Sequence, residues 1–325
     1  MGIKLFKTKS GTSRRLKKLK LANKSLLKPL GPAAPSLMIE IDDHVLSKDM
    51  TLAIIDELKA YYELKKPIEK LPDFSVLESA VEECMAERAY LTEFFNNTCG
   101  KQWNDHTNWC TNAALNKWKG VKTTPCVVRT LRGVILVEHR VTEIDLWNNN
   151  LHAKYADGVY GEIPDDIEKL TFLEKLNLGR NFLPGKLPAT LGNLSNLQTL
   201  HLHFNQLTGK LPSLDHLDSL EELWLNQNNL QDTVNELTKL KRMKCCHIQE
   251  NKFYGNVPEE MTDIQSLERF QFYSNYLKCG DRVQARVDAS DGQWRERLAK
   301  EQKATLTFER VFSDVRPSDN LTPIK

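Results

Sequence analysis

Long apolar runs are absent from this sequence of 325 residues. The longest one, Gly-Val-Ile-Leu-Val at 133–137, is far shorter than the about 20 apolar residues that a transmembrane helix needs. The N-terminus also lacks the apolar core of a secretory signal peptide. With a composition that is 40% hydrophobic and 27% charged, these absences predict a soluble intracellular protein, with the cytoplasm as the expected compartment.

Acidic residues are missing from the first 39 positions, which hold ten Lys or Arg residues. The other 286 residues hold 35 basic and 43 acidic side chains, so a basic segment precedes a mildly acidic body. We interpret residues 1–39 as a flexible tail or a targeting segment. Four roles stay open: a solvated segment without a partner, an organelle transit peptide, a nuclear signal at RRLKKLK (14–20), or a segment that binds RNA or an anionic membrane. Nucleic acid and membrane are therefore candidate partners of this tail alone.

Signals for metals, disulfides and catalysis are scarce as well. The seven cysteines are odd in number and form no Cys-x-x-Cys or Cys/His zinc pattern, so we expect mostly free thiols. The sequence has no glycine-rich phosphate loop, nucleophile elbow or kinase motif. We therefore expect no cofactor, no metal, no catalytic residue and no enzymatic activity. Sequons at Asn96, Asn193 and Asn320 would matter only in a chain that is secreted.

A repeat is the main feature that the sequence does contain. The stretch LEKLNLGRNFLPGKLPATLGNLSN at 173–196 recurs about every 24 residues. Each copy is built on Leu-x-Leu, or on two other apolar residues at the same spacing, and a following asparagine. The asparagines form a ladder that consists of Asn149, Asn181, Asn205, Asn228, Asn251 and Asn275. Its steps are 23 or 24 residues except the first, of 32, which indicates an insertion within 152–160. Six copies in phase predict a solenoid of stacked coils.

The residue types explain why such coils stack. Each Leu-x-Leu segment is expected to form a short strand whose leucines point into the core. The asparagine can hydrogen-bond backbone groups of the turn that follows, which would otherwise be buried without partners. Glycine and proline then shape a return segment that is too short for a long helix. No coil buries its apolar side alone, so the fold requires its neighbours.

The pattern LxxLxxLxLxxNxLxGxIPxxLGxL, carried by residues 173–194, resembles the plant-specific class of leucine-rich repeats. The resemblance covers about 140–280, or about 90–280 with a cap. It implies an α/β fold, a right-handed solenoid of six repeats with a curved parallel β-sheet and an N-terminal helical cap. The implied divisions are a tail (1–39), a helical and Trp-rich cap (40–139), the solenoid (140–279) and a C-terminal cap and tail (280–325). The fourth repeat departs from the pattern because it lacks Gly-x-Ile-Pro.

Tryptophans before the array resemble the cap of this class. We interpret Trp103, Trp109 and Trp118 as a hydrophobic lid on the first coil, with an aromatic ligand cage as the alternative. Cys110 and Cys126 flank Trp118 as paired cysteines do in secreted relatives, and a disulfide between them stays open.

Helices are expected before the array, and a cap after it. One helix begins at Ser47 and ends before Pro67, and a second begins with the capping box at Ser75 and ends near Gly100. Residues 280–294 form either a hairpin or, in the interpretation we prefer, a C-terminal cap, and a short charged helix follows at 295–303.

Residues beside the inward leucines should line the concave face. The expected partner-binding residues there are Trp147, Lys175, His201, His203, Trp224, His247, Gln249, Arg269 and Tyr273. Six strands spaced by ~4.8 Å span ~24 Å, which suits a peptide or the edge of a folded domain. Trp147, Trp224 and Tyr273 are outward by register. We expect Trp224, flanked by His201 and His203, to anchor the partner, the alternative being that it only packs across strands.

These observations predict a non-enzymatic, monomeric interaction module, a scaffold or signalling component that binds a protein or peptide on the concave face. The alternative is a receptor-like module that senses ligands and is secreted or membrane-associated. A third interpretation is an RNA- or ribosome-associated factor that binds through its tail. Zinc is not expected, because His247 lies two strands, roughly 10 Å, from His201 and His203.

Overall fold

The computed structural model describes residues 3–7, 37–41, 75–131, 134–152, 162–290 and 292–295. The helix expected from Ser47, the insertion at 152–160 and the helix expected at 295–303 lie wholly or largely outside these ranges. The chain divides into two compact units. The first comprises Met1–Glu93 and His106–Glu143, and the second comprises Phe94–Asp105 and Ile144–Lys325.

In the described part of the first unit, the regular structure consists of four strands, one long helix and the 3-10 helix Leu115–Lys117. The strands are β1 (Ile3–Lys7), β2 (Leu37–Ile41), β3 (Val121–Leu131) and β4 (Val134–Asp145), and the helix is α1 (Ser75–Asn97). Strands β1 and β2 pair antiparallel, β2 and β4 pair parallel, and β3 pairs with β4. Helix α1 begins at the serine of the expected capping box. Strands β1 and β2 are the described parts of the basic segment and its boundary, whose four possible roles remain open.

A buried ion pair joins α1 to β4 in the first unit. Arg140, whose side chain is 1% exposed, donates to Glu87 at 2.8 Å and to Glu83 at 2.7 Å. Glu87 also accepts from the backbone N–H of Val141 at 3.1 Å. Removing one partner of such a pair costs about 3–5 kcal/mol, because the other charge stays buried without compensation. The pair therefore fixes the helix on the strand.

The tryptophans of the first unit are core residues. Trp109 and Trp118 are 4% and 2% exposed, and their ring centroids lie 5.0 Å apart. Each indole N–H is satisfied by a backbone carbonyl, that of Lys119 for Trp109 and that of Ala113 for Trp118. Buried rings with satisfied donors leave no open aromatic cage at these two positions. The thiol of Cys110 is free, and the side chain of Cys126 lies outside the described residues, so the disulfide stays open.

The second unit holds the repeats. Its strands are β5 (Lys175–Asn177), β6 (Thr199–His201), β7 (Thr208–Gly209), β8 (Glu222–Trp224), β9 (Asn229–Asp232), β10 (Cys245–His247), β11 (Lys252–Asn256), β12 (Arg269–Gln271), β13 (Tyr276–Lys278) and β14 (Trp294–Arg295). Helix α2 spans Asp281–Ala289. Four 3-10 helices lie in the return segments, at Asp165–Lys169, Ala189–Asn193, Asn235–Lys239 and Glu259–Asp263.

One parallel sheet runs through the coils, and we call it the front sheet: β5, β6, β8, β10, β12 and β14 in that order. Its register aligns the middle residues Leu176, Leu200, Leu223, Cys246 and Phe270, all of them buried. A fully buried leucine or phenylalanine contributes about 1.5–3 kcal/mol by leaving water. The two replacements of leucine, by cysteine and phenylalanine, are accommodated in the same core row. The predicted α/β solenoid of stacked coils is confirmed.

The asparagines of the ladder pair backbone groups of neighbouring coils. Asn205 donates to the carbonyls of Leu178 and Leu202 at 2.9 and 3.1 Å, and its own carbonyl oxygen accepts from the N–H of Leu183 at 3.0 Å. Asn181, Asn228, Asn251 and Asn275 make the equivalent bonds one coil apart. These carbonyl and N–H groups would otherwise be buried without partners, at a cost of about 1–3 kcal/mol each.

A left-handed residue precedes every asparagine of the ladder. The residues are Asn148, Arg180, Phe204, Gln227, Glu250 and Ser274, with φ between 50° and 56°. None of them is glycine, although such a conformation costs an ordinary residue roughly 1–2 kcal/mol. The side-chain hydrogen bonds of the ladder and the backbone bonds between coils hold the turn in place. No residue preference reveals this strain in the sequence, because the position carries a different residue type in each of the six repeats.

A second, smaller sheet runs along the return side of the coils, and we call it the lateral sheet: β7, β9, β11 and β13. It follows the turn after each ladder asparagine. Gly185, Gly209 and Gly255 adopt φ values of 81°, 78° and 88°, which only glycine adopts without strain. Each is followed three residues later by a proline, and two of these prolines, Pro188 and Pro258, precede a short 3-10 helix.

Both ends of the repeat array are covered within the second unit. Before the first coil, Trp103 packs edge-on against Phe95 at 5.1 Å, and Asn104 and Asp105 hydrogen-bond to Asn149. After the last coil, α2 leads to β14, which pairs parallel with β12. Residues 280–294 are therefore not a hairpin, and this alternative was wrong because residues 281–289 continue as helix instead of turning back.

Candidate ligand-binding face

The outward side chains of the front sheet form a continuous surface. We call it the strand face: the first and third residues of β5, β6, β8, β10 and β12, the residue two positions after each strand, and the matching residues Asp145 and Trp147 that precede them. The register places Asn177, His201, Trp224, His247 and Gln271 side by side in its central row. The strand face contains all nine residues that the sequence analysis assigned to partner binding.

Three rings stack along the centre of this face. His201 lies on Trp224 with ring centroids 4.1 Å apart and planes within 17°, and His247 lies on the other side of Trp224 at 5.3 Å and 18°. His203 meets Trp224 edge-on at 5.3 Å. Adjacent parallel strands bring equivalent side chains to about 4.8 Å, which is the spacing that ring stacking needs. The cross-strand packing weighed as an alternative for Trp224 is thus present.

Several side chains of the strand face are less exposed than the sequence predicted. Tyr273, expected to point into solvent, is only 5% exposed, and His203 and Gln249 are 7% exposed. The register is right, but the rings and amides of adjacent coils cover each other, so side chains on the outward side are still removed from water. Trp147, in contrast, is 51% exposed. Sequence periodicity predicts on which side of the sheet a side chain lies. It does not predict how closely the neighbouring side chains on that side pack.

Polar atoms without partners lie inside this ring cluster. Among the described residues, His203 Nδ1 and Gln249 Oε1 are buried and have no hydrogen-bond partner. Trp224 Nε1 is likewise buried and finds no nitrogen or oxygen acceptor there; its polar neighbour is the weakly accepting sulfur of Cys245. A buried unpaired group costs about 1–3 kcal/mol, and a ligand that paired it would remove this cost. Elsewhere among the described residues, Thr123 Oγ1 and Trp294 Nε1 are also buried and unpaired.

The histidines of the cluster are neutral. Burial lowers the pKa of His203 to about 4, and the neighbouring basic groups of His201 and Arg180 lower it further. Burial also lowers the pKa of His247 to about 4, with Arg269 as the next cause. The pKa of His201 is lowered by burial as well, although Glu222, whose carboxylate lies 3.2 Å from His201 Nε2, opposes the shift. Near neutral pH the centre of the strand face is therefore aromatic and uncharged.

Charged groups border this neutral centre. On the N-terminal side, Asp145 accepts from Lys175 at 3.1 Å and from Asn177 at 2.9 Å. On the C-terminal side, Arg269 is exposed at the start of β12. The strand face thus combines an apolar centre with a charged border, the arrangement found at protein recognition sites.

Cys245 is the residue of this face whose side chain could act as a nucleophile, but its surroundings disfavour the reactive thiolate form. Its sulfur lies 3.4 Å from His247 Nε2. Burial raises the pKa of the thiol, and His247 is neutral because its pKa is lowered to about 4. A nucleophilic cysteine needs the thiolate form and a partner that stabilises it, and this pair supplies neither.

The described residues contain no group of three or more His, Cys, Asp or Glu side chains that could bind a metal ion. None of the described helices combines the length and the apolar composition required to cross a bilayer.

The comparison with known families agrees with the repeat geometry. A family model described as a leucine-rich repeat region matches residues 149–306. The chain is a leucine-rich-repeat protein. A search of curated proteins found no match.

Solved structures similar to this leucine-rich-repeat protein share its fold at low sequence identity. The ectodomain of the receptor kinase SOBIR1 from Arabidopsis thaliana is 23% identical, with 60% of this chain and 96% of that chain covered and a TM-score of 0.48. A plant ice-binding protein is 20% identical, with 59% and 57% covered and a TM-score of 0.49. A structure of the Arabidopsis receptor kinase HAESA with the peptide hormone IDA and the co-receptor SERK1 is 22% identical, with 59% and 30% covered and a TM-score of 0.49.

These neighbours correct the predicted compartment. The composition predicted an intracellular, cytoplasmic protein, whereas SOBIR1 and several other neighbours are matched by their ectodomains, the extracellular parts of receptors. By this comparison the cytoplasmic prediction is wrong. It rested on the composition of the chain and on its first residues, and neither of these reports on the relatives of the repeat array.

Proposed function

We propose that this leucine-rich-repeat protein is a receptor-like binding module, secreted or membrane-associated, that recognises a peptide or an extended segment of a protein on its strand face. The observation that carries the proposal is the stacked group of His201, Trp224 and His247 with unpaired buried polar atoms beside it. A solenoid that displays a rigid face loses little conformational entropy when it binds.

The chemistry of the unpaired atoms favours an amide-rich ligand. Trp224 Nε1 can only donate a hydrogen bond, and Gln249 Oε1 can only accept one. A peptide backbone offers both complements, a carbonyl oxygen and an N–H, in every residue. A small outward adjustment of the rings would let a bound main chain pair with them. The peptide hormone in the HAESA complex is in keeping with this class of ligand.

Recognition without catalysis is the function that the face supports. The acidic residues on it are paired or solvated, as the contact of Asp145 with Lys175 illustrates, and the Cys245 thiol has a raised pKa. A nucleophilic cysteine must be present as the thiolate, and a raised pKa disfavours that form.

The experiment is a selection of peptides from a random displayed library on the immobilised full chain, followed by affinity measurements on variants. We expect Trp224→Ala to weaken the selected peptides at least tenfold, because Trp224 is the ring between both histidines. The matched control is Tyr276→Ala, which removes an aromatic ring that is 72% exposed on the lateral sheet. Peptides that bind the Trp224→Ala protein with unchanged affinity would show that the strand face is not the site.

A further inference from the structure

A separate cavity opens on the lateral sheet. Its volume is about 590 Å³, within the about 300–1,000 Å³ of small-molecule sites. Return segments of four successive repeats line it, and the side chains that give it chemical character are Lys186, Lys210, Gln231, Asp232 and Tyr254. None of these residues belongs to the strand face.

The cavity coincides with the one repeat that breaks the sequence pattern. The position that holds Gly185, Gly209 and Gly255 in other repeats holds Asp232 in the fourth. Asp232 adopts φ 92°, close to the 78–88° of those glycines. Residues with a side chain avoid this conformation, and one that is kept in it is a reason to examine the surroundings for a function.

The strained aspartate positions an aromatic ring. Asp232 Oδ1 accepts from the hydroxyl of Tyr254 at 3.3 Å and from the N–H of Thr233 at 2.8 Å. The Tyr254 side chain remains 51% exposed although it lines the cavity. A glycine at position 232 would supply the turn but not this anchor. The substitution therefore exchanges an unstrained turn for a hydrogen bond to the hydroxyl of Tyr254.

Two cations lie at the same cavity. Lys186 and Lys210 each follow the glycine of their repeat, and both are exposed. Within the described part of the chain, neither ammonium group has a hydrogen bond or an ion pair. A Cβ at Gly209 would lie only 3.0 Å from Lys186 Cγ, so the missing side chain at Gly209 lets the stem of Lys186 lie along the cavity wall. Asp232 is the one acidic lining residue, and its carboxylate already accepts two hydrogen bonds.

We propose that this cavity binds an acidic sugar, a pyranose unit that carries a carboxylate. An exposed tyrosine ring offers a flat apolar surface to the C–H face of the sugar ring. Gln231 and Asp232 offer the amide and carboxylate oxygens that pair with hydroxyl groups. Lys186 and Lys210 supply the charge that a carboxylate requires. A bare phosphate or a simple dicarboxylate would bind to the lysines but would make no contact with the ring of Tyr254.

The test is titration calorimetry of the full chain with trigalacturonate and with its fully methyl-esterified form. The two probes share their rings and hydroxyl groups and differ in charge. We expect trigalacturonate to bind and the ester to bind at least tenfold more weakly. Added salt should weaken the binding of trigalacturonate and leave that of the uncharged ester unchanged. Inorganic phosphate serves as a third probe and should not compete at equal concentration.

Variants separate the contributions of charge and ring. The double variant Lys186→Ala/Lys210→Ala should weaken the binding of trigalacturonate at least tenfold. Tyr254→Ala should weaken the binding of both trigalacturonate and its ester. The control Lys241→Ala/Lys252→Ala removes two exposed lysines outside the cavity and should change neither affinity. Thermal unfolding of each variant verifies that it is folded.

Three results would overturn the proposal: no binding of trigalacturonate, equal binding of the ester, or an affinity that the double lysine variant leaves unchanged. Competition by phosphate as strong as that of the sugar, with no effect of Tyr254→Ala, would also overturn it, because the cavity would then bind any anion. These outcomes are independent of Trp224 and the strand face, so they do not decide the function proposed above.

Discussion

Asn228 shows what a single ladder residue does for this fold. Its amide donates to the carbonyls of Leu202 and Leu225 at 2.9 and 3.0 Å, and its oxygen accepts from the N–H of Leu207 at 3.0 Å. One side chain thereby satisfies three buried backbone groups of two neighbouring coils. Asn275 makes the same set of bonds at the last coil, where it is only half-buried.

We expect Asn228→Ala to lower the free energy of unfolding by about 3 kcal/mol or more, since three buried groups lose their partners. Asn275→Ala should cost clearly less, because water can reach the groups at the end of the array. Urea denaturation of both variants compares them directly. Equal losses at the two positions would contradict this account of the ladder.

His203 links the strand face to pH. Its pKa in the folded protein is lowered to about 4, mainly by burial, against an ordinary value of 6.5. The folded state therefore favours the neutral ring, and the unfolded chain binds the proton more readily. The stability contributed by this preference is fully present above pH 6.5 and is lost as the pH falls from 6.5 toward 4.

We expect the wild-type protein to lose on the order of 3 kcal/mol through His203 alone over that range. His203→Gln should remove this part of the pH dependence and flatten the curve of unfolding midpoint against pH. His216→Gln, which changes an exposed histidine outside the strand face, is the matched control for the substitution itself. Identical curves for wild type and His203→Gln would show that the ring is not held neutral by the fold.

Among the elements, the short strands of the front sheet depend on what covers the two ends. At the C-terminal end, β14 adds only two residues to the sheet, yet Trp294 is 2% exposed and meets Phe270 edge-on at 5.3 Å. Helix α2 supports it, because Val283 of that helix is buried and Arg286 lies over the Trp294 ring at 5.5 Å. The C-terminal cap thus buries the last core row, which no further coil would cover.

Trp294→Ala should destabilise the protein by about 3–5 kcal/mol, as is usual for truncation of a large buried aromatic residue. Gln293→Ala, at the exposed neighbouring position, should remain within about 0.5 kcal/mol of the wild type. Chemical denaturation measures both. A Trp294→Ala protein as stable as the control would mean that β14 is not a cap.

For the whole molecule, the two candidate surfaces belong to the same unit but to different sheets. The strand face presents uncharged rings at its centre, whereas the lateral cavity presents two lysines and a tyrosine. Different chemistry on the two sheets fits a module that meets two kinds of ligand. The proposed location outside the cytoplasm also gives meaning to the sequons at Asn96 and Asn193, both of which are exposed.

If the proposed location is right, native protein carries an N-linked glycan at Asn193. The residue ends the 3-10 helix Ala189–Asn193, and Ser195 of the sequon is exposed too. Mass spectrometry can measure glycan occupancy at Asn193 in protein isolated from its natural source, with and without enzymatic removal of glycans. An unmodified Asn193 in all of that material would speak against a secreted or membrane-associated protein.

Much of the fold was predictable from the spacing of a few residue types. The ladder from Asn149 to Asn275 and the paired leucines predicted the strands, their order and their register, because identical coils can bury their apolar side only by stacking. The position of the candidate site was predictable, but the burial of its side chains was not. Periodicity placed Tyr273 and His203 on the outward side of the sheet, and packing between coils then buried both.

The sequence by itself determined the repeat, the direction of each side chain and the point where the pattern fails, at the fourth repeat, because all three follow from local spacing. The tertiary structure decided the neutral histidine stack, the ion pair of Arg140 with Glu87 and the cavity beside Asp232. Each of these depends on residues from different coils or elements meeting at a distance of a few ångströms. That meeting is set by packing, and no single repeat encodes it.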